Sequence, residues 1–153
     1  MPGTHLHALD AATALTPLAR DSYQGQTDPR YAHRIGPFGG ITAATMLQSV
    51  MVHPDRQGEP IALTVNFAQP ISDEPFVIEA VAARTNRSTQ HWTLAMRQSG
   101  TVVTTASAVL ALRRDTWSCT EAEFPSVSPV SALKRLASPE APTWFANYDV
   151  RVA

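Results

Sequence analysis

The stretch Gly36-Pro37-Phe38-Gly39-Gly40-Ile41-Thr42-Ala43-Ala44-Thr45-Met46-Leu47-Gln48-Ser49-Val50-Met51-Val52 contains no Asp, Glu, Lys or Arg. The uncharged run begins at Ile35 and is closed by His53-Pro54-Asp55. It does not read as a membrane span, because its glycines, Pro37, Gln48 and hydroxyl residues break the ~20 mostly apolar residues that a span needs. Residues 41–52 hold no Gly or Pro, and their pattern predicts a helix of about three turns. Thr42, Thr45 and Ser49 recur three and four apart and share one face, with Gln48 beside them. A helix with no charged face must be covered on most of its surface, so this one is expected at the centre of a domain.

Downstream the period changes to two. Ile61, Leu63, Val65 and Phe67 alternate with Ala62, Thr64, Asn66 and Ala68, which predicts a strand. Residues 70–75 read as a turn, and 76–83 and 90–98 as further strands, the latter with Trp92, Leu94 and Met96 on one face. Ser99-Gly100 reads as a hairpin turn leading into a long Val- and Thr-rich strand over 101–112. Short loops joining four strands predict an antiparallel meander. Upstream, residues 5–25 read as weak strands and 24–36 as turn-rich chain. Strands, a buried helix and then four strands form the order of the α+β hotdog fold, a curved antiparallel sheet around one central helix.

A length of 153 residues is one domain with a tail. Charged residues make up 16% and apolar ones 44%, against a usual charged share of ~25%, so a sizeable core is expected. With 12 basic and 13 acidic residues the net charge is -1, which argues against a general nucleic-acid binder. The lone Cys119 excludes an internal disulfide framework and is not expected to be a nucleophile. Met1-Pro2-Gly3-Thr4-His5 has neither the basic nor the apolar region of a signal peptide. Residues 1–115 are expected to form the domain. Residues 116–153 read as a Pro/Ser-rich linker with a short helix over 130–136 and aromatic Trp144, Phe145 and Tyr148 near the end.

Phe38-Gly39-Gly40 opening the uncharged helix, Leu63-Thr64-Val65-Asn66-Phe67 before Pro70, Arg87-Ser88 before a strand, and Gln98-Ser99-Gly100 together resemble acyl-CoA thioesterase II-like proteins of the thioesterase-like hotdog superfamily. The resemblance covers residues 6–112 and is to the N-terminal half of such proteins, which are commonly double hotdogs. Residues 144–152 resemble the opening strand of a second half. The catalytic Asp, Thr and Gln of the family usually sit in that second half, so the resemblance carries none of them onto this chain.

The residues themselves supply candidates. Gly39 and Gly40 open the helix, where N–H groups are unpaired and the dipole is positive; the pair reads either as an oxyanion site or as small residues required by tight packing. Thr45, Gln48 and Ser49 are candidates to orient a water, or are groups bonded locally. Asn66 and Gln69, on or just beyond the first meander strand, are candidates for the same cleft; Asn66 alternates with the apolar set, so its other reading is solvent exposure. Asp28 and His33 have the Asp-x4-His spacing of hotdog enoyl hydratases, and His33 is also a candidate hydrogen-bonding group near neutral pH. Phe38, Arg87 and Ser88 are assigned to substrate binding. The resemblance implies a Gly before Arg87-Ser88, and Asn86, which tolerates a left-handed backbone, stands there instead. Arg87 suits a phosphate of coenzyme A, or is a solvated loop charge.

His5, His7, His53 and His91 show no metal spacing, so no metal is expected, and no cofactor beyond the coenzyme A moiety of a substrate. These readings converge on hydrolysis of acyl-CoA or a related acyl thioester. The alternatives are a non-catalytic acyl-binding half that completes a site in a partner hotdog, and a hotdog enoyl-CoA hydratase. A homodimer or larger assembly, no nucleic-acid partner, no membrane span and a cytoplasmic location are expected.

Overall fold

The computed structural model describes residues 6–137 and 140–153; the reading of Met1–His5 lies outside them. The first element is a short helix, α1 (Ala8–Ala12), where alternation predicted a weak strand. Three alanines favour the helix, and the His7 imidazole caps it by accepting the Leu9 N–H at 3.2 Å. Strands β1 (Thr16–Ala19) and β2 (Ser22–Gly25) then form a hairpin, with Pro17 tolerated because β1 is an edge. A 3-10 turn at Pro29–Tyr31 is capped by the Asp28 carboxylate and leads into the two-residue strands β3 (Ala32–His33) and β4 (Gly36–Pro37).

The central helix α2 (Gly39–Met51) begins two residues earlier than its sequence pattern indicated. Its hydroxyl face points inward: Thr42, Thr45 and Ser49 are buried beside Ile41, Met46 and Val50. His53 closes the far end. It is buried against Trp92, its Nδ1 accepts the Asp55 N–H at 3.0 Å, and its Nε2 lies 2.9 Å from Asp21.

The long strands are β5 (Glu59–Phe67), β6 (Phe76–Thr85), β7 (Thr89–Gln98) and β8 (Thr101–Ala111). All pairs are antiparallel, and the six-stranded sheet runs β1-β2-β6-β7-β8-β5. The meander is therefore β6-β7-β8, and β5 pairs with β8 instead of with its chain neighbour β6. Residues 68–75 form a crossover past the β7–β8 hairpin, not a turn. The buried Gln98 amide holds that crossover: Nε2 donates to the Ser72 and Glu74 carbonyls at 3.0 and 2.9 Å, and Oε1 accepts the Ser72 N–H at 2.9 Å.

Helix α2 packs on β6 and β7. Phe76, Ile78 and Ala80 on β6, Trp92, Leu94 and Met96 on β7, and Ala106, Ala108 and Leu110 on β8 form the core beneath it. Ile61 and Phe67 on the edge strand β5 stay 57% exposed. Residues 112–129 are exposed and without regular structure. The helix expected over 130–136 is one 3-10 turn, Val130–Ala132, and the strand expected near 144–152 is a 3-10 turn, Thr143–Asn147, followed by an isolated bridge between Arg135 and Arg151. Trp144 on that turn joins Tyr31, Phe38, Ile41 and Ala12 in a second apolar cluster.

Candidate functional site

The first turn of α2 leaves donors free. The Ile41 and Thr42 N–H groups both reach the Phe38 carbonyl, at 3.0 and 3.4 Å, and no side chain caps the helix. Among the described residues, the N–H groups of Gly39 and Gly40 have no partner. Phe38 is itself fixed, since its N–H bonds to the Tyr31 carbonyl at 2.8 Å and its ring stacks on Trp144. The entry to α2 is thus anchored by Tyr31 and Trp144, with Gly39 half-buried and Gly40 exposed.

A cleft of about 340 Å³ opens beside this turn, lined by Gly39, Thr42, Phe67, Gln69 and Ile71 among others. A Cβ on Gly39 would stand 3.3 Å from the Phe67 ring, so glycine keeps the cleft floor low. A Cβ on Gly40 would meet the Phe38 ring. Packing therefore demands a small residue at Gly40 more than at Gly39, and the N–H groups of both lack a partner among the described residues.

Behind the cleft is a smaller cavity of about 20 Å³ between helix and sheet, walled by Ile71, Phe76 and Met96, with Thr42, Thr45 and Asp28 at its polar side. Asp28 is the carboxylate that lines the small cavity, and it does not border the cleft. It accepts from the Arg30 Nε and Nη2 and from the Arg30 N–H. The Arg30 side-chain bonds hold its carboxyl below the usual carboxylate range and outweigh the opposing effect of burial. Tyr31 is 2% exposed, and that burial raises its phenol above the usual value.

The other candidates separate. Thr45 faces the small cavity, but its hydroxyl donates to the Ile41 carbonyl at 2.8 Å. Gln48 is half-buried farther along α2 and lines neither space. Asn66 is exposed, and strand alternation turns it away from the face that Phe67 presents to the cleft. His33 is exposed and borders a different surface pocket with Arg34 and Glu140, so Asp28 and His33 do not share a cavity as a hydratase pair would. Arg87 and Ser88 sit in the β6–β7 connection, where the Ser88 carbonyl accepts the Leu112 N–H. Met96 lines the cavity and Ser88 precedes β7, which puts the connection about 25 Å away along the strand. Phe38 packs against Trp144 and borders neither space.

Two features were not singled out from sequence. Thr42 belonged to a row of similar hydroxyls, and Thr104 to a Thr-rich strand, with nothing local to distinguish either. In the fold Thr42 borders both spaces, and Thr104 is fully buried with its hydroxyl unpaired among the described residues.

Comparison with known proteins adds the following. Residues 27–111 match the family model described as the acyl-CoA thioesterase N-terminal domain. A hot dog fold protein of unknown function from Alicyclobacillus acidocaldarius is 54% identical, with a TM-score of 0.89 over 92% of this chain and 53% of that one. An acyl-CoA thioesterase II from Mycobacterium marinum is 22% identical and shares the fold, with a TM-score of 0.71 over 84% of this chain and 48% of that one. The chain thus spans about half the length of these relatives. No curated protein matches. No helix among the described residues is long and apolar enough to cross a membrane.

Proposed function

Because the chain belongs to the family of acyl-CoA thioesterase N-terminal domains, we propose that it serves as one hotdog unit in the hydrolysis of acyl-CoA or a related acyl thioester. What supports this reading is the uncapped start of α2, where the Gly39 and Gly40 N–H groups are unpaired among the described residues and Gly39 lines an open cleft. A thioester carbonyl in that cleft accepts from the Gly39 N–H, in the positive field of the helix start, and the charge that grows on its oxygen is stabilised there. Water adds to the carbonyl carbon, the carbon–sulfur bond breaks, and the departing sulfur takes up a proton. The products are the carboxylic acid and free coenzyme A thiol. Water is the co-reactant, and the chemistry calls for no metal or further cofactor.

The central helix offers no carboxylate, and Asp28 is engaged by Arg30. On this reading a second hotdog unit completes the site, either another copy or the continuation of a longer chain. The unpaired edge of β5 and the half-length match to relatives support that assembly. Residues 1–115 then form one unit, with 116–153 leading toward the next.

The test is release of free thiol from a panel of acyl-CoAs by the purified protein, with turnover expected. The engagement of Asp28 favours a second reading, a non-catalytic acyl-binding half; saturable acyl-CoA binding without turnover would select it. A monomeric mass by light scattering at micromolar concentration would reject a homo-oligomer.

A further inference from the structure

Three hydroxyl side chains of α2 face the interior, and two of them have fixed partners. Thr45 donates to the Ile41 carbonyl at 2.8 Å and Ser49 to the Met46 carbonyl at 2.7 Å. Thr42 differs. It is 4% exposed, and among the described residues its hydroxyl makes no hydrogen bond. Among the described residues the fully buried unpaired side-chain atoms are those of Thr104 and Trp144, so the Thr42 hydroxyl reaches the surface of the space it faces and is open to a partner there. Thr42 is the residue of α2 that lines both the open cleft and the cavity behind it. Side chains on a helix lean toward its N-terminus, so Thr42 covers the turn opened by Gly39, whose N–H is also free.

The sheet holds an unpaired hydroxyl of a different kind. Thr104 is fully buried, and its Oγ1 has no partner among the described residues. Its cross-strand neighbours are Phe67, which lines the cleft, and Met96, which lines the cavity. Thr104 itself lines neither space, so the free hydroxyl that borders them is that of Thr42, set among apolar walls as a ligand with a polar centre and an apolar body requires.

We infer that Thr42 is a further carbonyl-binding residue of this site. Its hydroxyl donates, together with the Gly39 N–H, to the carbonyl oxygen of the bound thioester, while the acyl group lies along the apolar wall of the cleft at Phe67 and Ile71. The inference rests on the thioester reading above and adds a donor that reading does not contain.

The test compares the wild-type protein with Thr42→Val, which keeps the shape and removes the hydroxyl, and Thr42→Ser, which keeps the hydroxyl. Hydrolysis of acyl-CoA is followed alongside binding of an S-alkyl-CoA thioether that lacks the carbonyl. Thr42→Val should lower kcat by about a hundredfold, Thr42→Ser should recover activity to within a few-fold of wild type, and thioether binding should be unchanged in both. Wild-type kcat in Thr42→Val overturns the inference and leaves the thioesterase reading standing. Equal loss in the Val and Ser variants, or loss of thioether binding, also overturns it, since that marks a packing role. If the wild-type protein binds acyl-CoA without turnover, weaker acyl-CoA binding by Thr42→Val with unchanged thioether binding supports the inference, and equal weakening or none overturns it. A wild-type protein that neither hydrolyses nor binds acyl-CoA removes the thioester reading, and this inference with it.

Discussion

The Trp144 indole lies flat on the Phe38 ring, with centroids 4.2 Å apart and planes 12° from parallel. Phe38 is the residue from which α2 starts, so the last segment of the chain closes over the entry of the central helix. Asn147 adds a second tie, donating to the Arg30 carbonyl at 2.7 Å. Trp144→Ala removes the stack and should cost about 2 kcal/mol of stability. It should also raise hydrogen exchange in residues 140–151 while the β6–β8 amides stay protected. Unchanged exchange in 140–151 would show that the stack does not hold the segment.

The two glycines should respond differently to alanine. At Gly39 the added methyl meets the Phe67 ring at 3.3 Å, a contact that a half-exposed ring relieves by a small shift. Gly39→Ala should therefore keep near wild-type stability and reduce thioester turnover by narrowing the cleft. At Gly40 the methyl meets Phe38, which Trp144 holds in place, so Gly40→Ala should be destabilised by about 1–3 kcal/mol. Thermal unfolding of both variants checks the order; equal melting temperatures would contradict it.

Gln98 is the clasp of the 68–75 crossover. Gln98→Leu leaves the Ser72 N–H and the Ser72 and Glu74 carbonyls without their partner, and should cost about 2–3 kcal/mol in urea unfolding. A loss within experimental error would mean that water replaces the clasp without penalty.

Asp28 links stability to pH. Its carboxyl lies below the usual range because Arg30 bonds to the ionised form. Its contribution is therefore fully present above the unfolded-state value of about 4, and is lost as pH falls through the lower folded-state value. Asp28→Asn should be less stable than wild type at pH 7, and the gap should shrink as the pH drops toward 3. A gap that is constant with pH would show that the ionised form is not favoured in the fold.

Thr104 carries a buried hydroxyl with no partner among the described residues. Thr104→Val keeps its shape and removes that unpaired group, and should raise stability by about 1 kcal/mol in the absence of ligand. A decrease would mean that a bound water satisfies the hydroxyl.

Much of the architecture was legible in the chain because it rests on period and charge. An uncharged run ended by His53-Pro54 reads as a buried helix, and alternation at Trp92, Leu94 and Met96 reads as the core face of a strand. Neighbour identity was not legible. Alternation says that β5 is a strand, yet its partner is β8, since pairing is chosen by where an eight-residue crossover can lead and what clasps it. The alanine-rich stretch Ala8–Ala12 alternates too weakly for its period to decide between strand and helix.

The same division runs through the site. Sequence alone determined that Gly39 and Gly40 open a helix, because the glycines and the uncharged run that follows are local facts. Only the tertiary structure decided which groups around that helix start meet. It brought Thr42 and Gln69 to the cleft and Asp28 to the cavity behind it, and left Asn66, His33, Arg87 and Ser88 elsewhere. The physical reason is that a hydroxyl spacing of three and four places Thr42, Thr45 and Ser49 on one face without saying which finds a carbonyl and which faces a space. That is fixed by packing against the sheet, through contacts between residues far apart in the chain.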